Sequence, residues 1–279
     1  MGNGNGTALV LILTPDGRFD ASDIGSILHR QKEGSIELFI VAVGDTVKID
    51  SRLGKTAKMK MIVSEESFSR SGKIFNEIIA AAQNRIFVFI SNRVMPTHDH
   101  WLTRICAPLL KDGADAAFGR DIPAPGGNYF LAEDMKKHFP LSASGTEMSG
   151  FSIDNCAITR DALRRTPFTE NLAYDAAAVW IINSKIRPSY CPEATVLRPA
   201  DCSLREVYMG SLHKGADRRG CGRRITLLET GRNTAAGIMR DLRFCFSLKK
   251  PQYMWYPFFY RSAMNFGYYA GQQIKINDK

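Results

Sequence analysis

The chain has few cysteines and no pair of them at a metal-binding or disulfide spacing. Its six cysteines are scattered along 279 residues without a C-x-x-C pair, which argues against a zinc site and against a disulfide scaffold. We therefore expect reduced thiols and a cytoplasmic protein. No apolar run is long enough to span a bilayer. Residues 1–7 have no basic segment ahead of an apolar stretch, so we expect no secretory signal.

Acidic residues are scarce in only one part of the chain. Residues 1–200 contain 23 Lys and Arg against 22 Asp and Glu, whereas residues 201–279 contain 14 against 6, which places +8 of the net +9 in the last stretch. Three interpretations are open: a solvated basic surface, binding to an anionic membrane surface, or binding to nucleic acid. Nucleic acid is the least favoured partner, because the sequence contains no recognised nucleic-acid-binding module.

Apolar runs separated by turn signals predict an α/β layer structure with a mainly parallel sheet. Strands are expected at residues 8–13, 37–43, 61–63 and 86–90. Helices are expected at residues 22–28 and 73–83. Ligands of such sheets bind beyond the carboxyl ends of the strands. The residues that follow 13, 43 and 90 are therefore where we expect a nucleotide to bind.

Seven segments of the chain resemble those of one enzyme family, without gaps inside each segment. The segments are residues 37–46, 71–77, 89–96, 118–125, 151–161, 167–180 and 194–204. Together they resemble inverting, nucleotide-sugar-dependent glycosyltransferases of family 2, close to bacterial rhamnosyltransferases, over residues 7–210. The resemblance implies a GT-A-like fold, a nucleoside-diphosphate sugar as ligand, and a glycan or lipid-linked acceptor.

The chain lacks the family's acids and histidines at four positions. Ala42-Val43 stand in place of the Asp pair at the nucleotide, and Ser91-Asn92-Arg93 in place of the metal-binding Asp-x-Asp. Ala176-Ala177 replace the Glu-Asp of the catalytic base, and Arg198-Pro199-Ala200 replace the His-x-His at the diphosphate. Alanine cannot accept a proton, and hard cations want anionic oxygen ligands. We therefore expect no metal and no cofactor, and we expect metal-dependent catalysis to have been lost.

The groups that remain define a candidate site. Asp175 is the candidate catalytic base, and its alternative role is to cap the helix predicted over 176–183. Arg93 and Arg198 are candidates to hold the diphosphate without a metal, and the alternative for each is a surface or salt-bridged arginine. If a metal is bound after all, Asp45 and Asp121 are the candidate ligands. The full set of nucleotide- or diphosphate-binding candidates is Thr14, Pro15, Gly44, Asp45, Lys73, Asn76, Arg93 and Arg198.

The C-terminal stretch predicts an amphipathic basic helix followed by an aromatic cluster. The positions predicted to share one helical face are Gly231, Ala235, Ile238, Leu242 and Cys245, with Arg232, Arg240 and Arg243 away from it. Residues 253–270 contain nine aromatic side chains. These rings suit a bilayer interface, and the alternative is that they pack on the protein core.

These patterns predict three parts and one leading function. Residues 1–6 are a flexible N-terminus, residues 7–215 a GT-A-like domain, and residues 216–279 a helical basic and aromatic region. The leading function is a glycosyltransferase-like protein of surface-glycan or polysaccharide assembly, peripheral at the inner face of the membrane. It would act as a pseudoenzyme or as a partner of another glycosyltransferase subunit. The alternatives are an active, metal-independent transferase of rhamnosyltransferase type and a basic membrane or nucleic-acid scaffold.

Overall fold

A computed structural model describes most of the chain. The described residues are 8–14, 36–43, 58–64, 71–91, 93–141, 151–169, 180–181, 184–200, 202–220, 224–247, 249 and 251–274. By packing, the chain divides into unit 1, residues 1–125 with 133–199, and unit 2, residues 126–132 with 200–279. The boundary near 215 that the sequence suggests stays a prediction.

Eight strands of the described chain form one sheet. Their bounds are β1 Ala8–Thr14, β2 Ile36–Val43, β3 Lys58–Ser64, β4 Ile86–Ser91, β5 Met95–Pro96, β6 Ala116–Pro123, β7 Asn155–Thr159 and β8 Ser189–Arg198. They lie in the order β3-β2-β1-β4-β7-β6-β8-β5. β1 to β4 run parallel, β7 is antiparallel to both of its neighbours, and β8 is parallel to β6. One half of the sheet is therefore parallel and the other half is mixed.

The helices around this sheet are short. Their bounds are α1 Ser71–Ala81, α2 Trp101–Lys111, α3 Tyr129–His138 and α4 Arg160–Arg165. The four strands predicted from the apolar runs are confirmed as β1 to β4, and the helix predicted over 73–83 is confirmed as α1. The helix predicted over 22–28 lies outside the described residues.

Strand β4 is buried on both sides, which explains its unbroken apolar sequence. Val88 packs in one apolar cluster with Trp101 of α2. Phe87 and Phe89 pack in a second cluster with Phe75 of α1. The two clusters lie on opposite faces of the sheet, because successive side chains of a strand point to opposite sides.

Unit 2 is built mainly from helices α5 Leu204–Asp217, α6 Leu227–Ser247 and α7 Tyr256–Gln273. A capping box begins α5, in which the Ser203 hydroxyl accepts from the Glu206 backbone N–H at 3.2 Å and the Glu206 carboxylate accepts from the Ser203 N–H at 2.7 Å. Thr226 and Glu229 make the same pair of bonds at the start of α6. These reciprocal bonds satisfy backbone donors that have no partner inside the helix.

The aromatic cluster of the C-terminal stretch is divided between the interior and the surface of unit 2. Tyr260 is buried, and Tyr256 stacks on Phe130 with ring centroids 5.5 Å apart. Trp255 and Phe259 are exposed, with 75% and 60% of their surface accessible. Part of the cluster therefore packs on the protein, and part of it faces outward.

Helices α5 and α7 touch through their backbones. A Cβ atom on Gly271 would lie 2.0 Å from the Leu212 carbonyl oxygen, and one on Gly215 would lie 2.1 Å from the Tyr268 carbonyl oxygen. Only glycine fits at these two positions, because the atoms it meets belong to the neighbouring backbone and cannot rotate away. The close approach of α5 and α7 thus depends on a few glycines.

We predict that Gly271→Ala lowers the free energy of unfolding by about 1–3 kcal/mol, the usual cost of overpacking. Gly210→Ala in α5 is the matched control, because a Cβ there meets no atom within 4 Å. That control is expected to raise stability by about 0.5–1 kcal/mol through higher helix propensity. Denaturant unfolding of both variants measures the difference, and equal effects would contradict the backbone contact.

Candidate functional site

The carboxyl ends of the central strands meet at one edge of the sheet. Thr14 of β1 is level with Ala42 of β2, and Leu13 is level with Ser91 of β4. β7 begins at the same edge, because it runs antiparallel to β4. β6 ends at this edge, because it is antiparallel to β7, and β8 ends there too, because it is parallel to β6. Ligands of open α/β sheets bind at such an edge, and we call it the carboxyl edge.

The turn after β4 contains Ser91 and Arg93, which the family resemblance aligns with metal-binding acids. The buried Ser91 hydroxyl accepts a bond from the Arg93 backbone N–H at 3.3 Å, and the Ser91 carbonyl accepts from Val94 N–H at 3.3 Å. Arg93 is exposed. Neither a serine hydroxyl nor an arginine side chain offers an anionic oxygen, so the described residues of this turn do not fit a magnesium or manganese ion. Throughout the described part of the chain, no three His, Cys, Asp or Glu side chains form a metal-binding group.

Arg198, at the end of β8, is held by two carboxylates and a hydroxyl. Its Nε donates to Asp121 Oδ2 at 2.8 Å, and its Nη2 lies 2.7 Å from the same oxygen. Its Nη1 donates to Asp154 Oδ2 at 2.9 Å, and Nη2 also donates to Ser152 Oγ at 3.0 Å. This is the salt-bridged alternative for Arg198. Asp121, a candidate ligand of a rebuilt metal site, is used in the same ion pair.

Asn155 links this ion pair to the rest of unit 1. Its Nδ2 donates to Asp121 Oδ1 and to the Ala194 carbonyl, both at 3.2 Å. Its Oδ1 accepts from Trp101 Nε1 at 2.9 Å. Asn155, Asp121 and Trp101 are all at most 1% exposed. The first residue of β7 thus bonds to β6, β8 and α2 at once, and we call these residues, with Arg198 and Asp154, the buried network.

The charges of the buried network do not cancel, because one guanidinium faces two carboxylates. Burial raises the pKa of the Asp121 carboxyl above its ordinary value, and the adjacent Arg198 guanidinium opposes that rise. A raised pKa means that the folded protein binds this proton more tightly than the unfolded chain does. The contribution of Asp121 to the free energy of unfolding therefore falls as pH rises from 3.8 through the raised pKa.

A glycine makes room for the buried network. The pairing of β6 with β8 shifts register after Gly119, which marks a bulge. A Cβ atom on Gly119 would lie 2.1 Å from the Ala194 carbonyl oxygen and 2.5 Å from Asn155 Nδ2. A larger residue would push Asn155 away from the carbonyl that it donates to. Gly119 lies in the segment 118–125 of the family resemblance, and the structure shows a packing reason for a glycine there.

The candidate residues of α1 point to different roles. Asn76 is engaged with the backbone of Phe168: its Nδ2 donates to the carbonyl at 2.8 Å, and its Oδ1 accepts from the N–H at 3.0 Å. Lys73 is exposed on the same helix. Thr14 is the last residue of β1 and lies at the carboxyl edge. Four further candidates lie outside the described residues, namely Pro15, Gly44, Asp45 and Asp175.

Sequence reasoning did not select Asn155 or Trp101. One signal was available, because the polar pair Asp154-Asn155 stands directly before the apolar run 156–158. A polar residue that opens a buried strand must find partners. Those partners come from β6, β8 and α2, which are distant in sequence, so only the sheet order identifies them.

Comparison with solved structures places this fold among glycosyltransferases. The mannosyltransferase PcManGT from Pyrobaculum calidifontis, solved with GDP-Man and Mn2+, superposes with a TM-score of 0.62 at 13% identity, over 98% of this chain and 88% of that chain. TarS from S. aureus, solved with UDP-GlcNAc, gives 0.50 at 13% identity, over 95% and 90%. Glucosyl-3-phosphoglycerate synthase from Mycobacterium tuberculosis, solved with phosphoglyceric acid, gives 0.52 at 15%, over 78% and 80%.

These similarities establish the fold. No protein-family model matches the chain, and no curated protein matches it either. The chain has the GT-A-type glycosyltransferase fold that the sequence predicts, with helices at its C-terminal end. Membership of family 2 and closeness to rhamnosyltransferases stay predictions.

We predict that Arg198→Ala lowers the free energy of unfolding by about 3 kcal/mol or more, because it leaves the Asp121 carboxylate buried without its cation. The loss should shrink as pH falls and Asp121 becomes protonated. Arg165→Ala is the control: its pair with Asp115 at 2.5 Å is exposed, with 60% and 38% of the side chains accessible, and is expected to contribute about 0–1 kcal/mol. Denaturant titrations at several pH values test both, and a loss for Arg198→Ala no larger than the control's would contradict the role of the buried network.

Proposed function

We propose that this chain is a glycosyltransferase-like protein of surface-glycan or polysaccharide assembly in which metal-dependent catalysis has been lost. It binds a nucleoside-diphosphate sugar at the carboxyl edge and serves as a binding or partner subunit for another glycosyltransferase. Its acceptor-side ligand is a glycan or a lipid-linked glycan. The proposal is supported by the fold, by the turn after β4 and by the state of Arg198.

Two similar structures support the nucleotide sugar as ligand. PcManGT was solved with GDP-Man, and TarS was solved with UDP-GlcNAc. Both ligands are sugars joined to a nucleoside diphosphate. A chain with the same fold has the same type of edge available for such a ligand.

The observation that carries the proposal is the engagement of Arg198 with Asp121 and Asp154. Arg198 stands where the family resemblance places a histidine at the diphosphate. A guanidinium that balances two carboxylates leaves no net positive charge at this position, so it does not stabilise the negative charge that develops on a departing diphosphate. Arg198 therefore acts in the packing of the sheet, and the charge of the departing diphosphate lacks this partner.

One observation favours an active, metal-independent transferase as the second candidate. Arg93 is exposed at the carboxyl end of β4, where the metal of the family would lie. A guanidinium binds phosphate in two-point contacts without an ion. Asp175 would then be the base, as the sequence predicts.

We predict that manganese or magnesium does not tighten the binding of any nucleoside-diphosphate sugar to the full chain. The reason is that Ser91 and Arg93 supply no anionic oxygen to the ion. Calorimetric titration with a panel of donors, with and without the metal, measures this. A gain of about tenfold, or about 1.4 kcal/mol, would show that other carboxylates hold an ion, and turnover with any donor would contradict the loss of catalysis.

For the second candidate we predict that Arg93→Ala weakens donor binding by about 1.5–3 kcal/mol, the range for a hydrogen bond to a charged group. Arg85→Ala is the matched control, because Arg85 is exposed and directly precedes β4, at the end opposite to Arg93. Asp175→Asn should abolish transfer and spare binding. Calorimetry and a transfer assay separate the two effects, and full transfer by Asp175→Asn would exclude this residue as the base.

A further inference from the structure

Helix α6 buries three polar side chains and exposes several large apolar ones. Its buried residues recur every three or four positions and form one stripe, Thr230, Thr234, Gly237, Asp241 and Cys245. The sequence predicted a different face, with Gly231, Ala235, Ile238, Leu242 and Cys245. In the structure Gly231 and Ala235 are exposed, and Ile238 and Leu242 are half-buried. Only Cys245 of the predicted face is buried, so the apolar periodicity does not identify the side of α6 that packs on the protein.

The buried stripe of α6 meets polar partners on α7. Arg261 Nε donates to Asp241 Oδ2 at 2.6 Å, and Arg261 Nη2 donates to Asp241 Oδ1 at 3.0 Å. Only 2% of Arg261 and 4% of Asp241 is exposed. Asn265 Nδ2 donates to Thr234 Oγ1 at 3.2 Å. Hydrogen bonds and a two-point ion pair thus join α6 to α7.

The opposite side of α6 carries an apolar line. Leu228, Met239 and Phe246 are separated by 11 and 7 residues, which brings them to nearly the same angle at 3.6 residues per turn. They are 84%, 56% and 66% exposed. Arg232 and Arg243 are exposed beside this line. We call these five residues the outer face of α6.

A water-soluble helix ordinarily has the reverse distribution, with its apolar stripe on the core. Buried small and polar residues with an apolar exterior are typical of helices that contact lipid, where apolar burial does not drive helix association. No helix among the described residues is long and apolar enough to cross a membrane. A helix with an apolar line flanked by arginines instead suits the plane of a lipid interface.

We propose that the outer face of α6 binds an anionic lipid surface, with Leu228, Met239 and Phe246 in the acyl boundary and Arg232 and Arg243 at the headgroups. The basic charge of this region favours an anionic lipid surface over a second copy of the chain as the partner of this face. Residues 201–279 carry 14 basic and 6 acidic side chains, so two copies would bring like charges together, whereas an anionic surface attracts them. The inference depends on unit 2 and is independent of the proposed function.

The test is cosedimentation of the full chain with phosphatidylcholine vesicles, with and without phosphatidylglycerol. We expect binding to the anionic vesicles at low salt and little binding to the neutral ones. Binding to anionic vesicles should weaken as salt screens the arginines. No binding to anionic vesicles at low salt, or equal binding to both kinds, would overturn the proposal.

Matched variants locate the surface. Leu228→Ser with Phe246→Ser should lower the partition coefficient by about tenfold or more, since two exposed apolar groups lose their lipid contact. The control pair, Leu110→Ser with Leu141→Ser, changes apolar residues of unit 1 that are 51% and 72% exposed, and should leave binding unchanged. Arg232→Gln with Arg243→Gln should reduce binding to anionic vesicles, whereas Arg85→Gln with Arg164→Gln, exposed arginines of unit 1, should not.

Each variant is first checked by circular dichroism, and exposed positions are expected to leave the fold intact. Equal binding by the wild type and the Leu228/Phe246 variant would exclude the outer face of α6. Light scattering without vesicles measures the oligomeric state and so tests whether a second copy of the chain covers this face. A dimer that the Leu228/Phe246 variant dissociates would show that this face contacts a second copy, and the lipid proposal would then be wrong.

Discussion

The contact between Arg198 and Asp121 is the constraint on which the carboxyl edge depends. It joins the end of β8 to β6, and Asn155 extends it to β7 and α2. A buried carboxylate is tolerated only where a cation and hydrogen bonds compensate for lost hydration. Strands β6, β7 and β8 and Trp101 of α2 are all bonded to this pair, directly or through Asn155. The bulge after Gly119 makes room for Asn155.

The buried ion pair of Arg198 competes with the binding of a diphosphate by the same side chain. An arginine that stabilises a buried carboxylate cannot also give its full charge to a diphosphate, because the same guanidinium protons are already donated. The residue that the family resemblance aligns with a diphosphate-binding histidine thus takes part in a buried ion pair. The fold itself is held largely by the apolar residues of β4, which pack in both clusters of unit 1.

Buried polar pairs have a different place in unit 2 from the one they have in unit 1. In unit 1 the polar network lies inside an apolar core that already holds the sheet together. In unit 2 polar pairs join α6 to α7 and glycine contacts join α5 to α7. The apolar cluster described there has three buried members, Phe130, Cys245 and Tyr260, with partly buried side chains such as Phe244 and Tyr256 packed against them. Large apolar side chains accordingly remain on the surface, and the inference of a lipid-facing side follows from that distribution.

The sequence by itself determined the local features. Apolar runs located β1 to β4, because a strand buried on both faces needs an unbroken apolar sequence, and the Ser203/Glu206 pair marks a helix start, because a capping box is a local arrangement. The tertiary structure alone decided which side of α6 is buried and where Asn155 and Arg198 find their partners. Those outcomes depend on groups far apart in the chain, such as Arg261 with Asp241 and Arg198 with Asp121, and periodicity carries no information about distant partners.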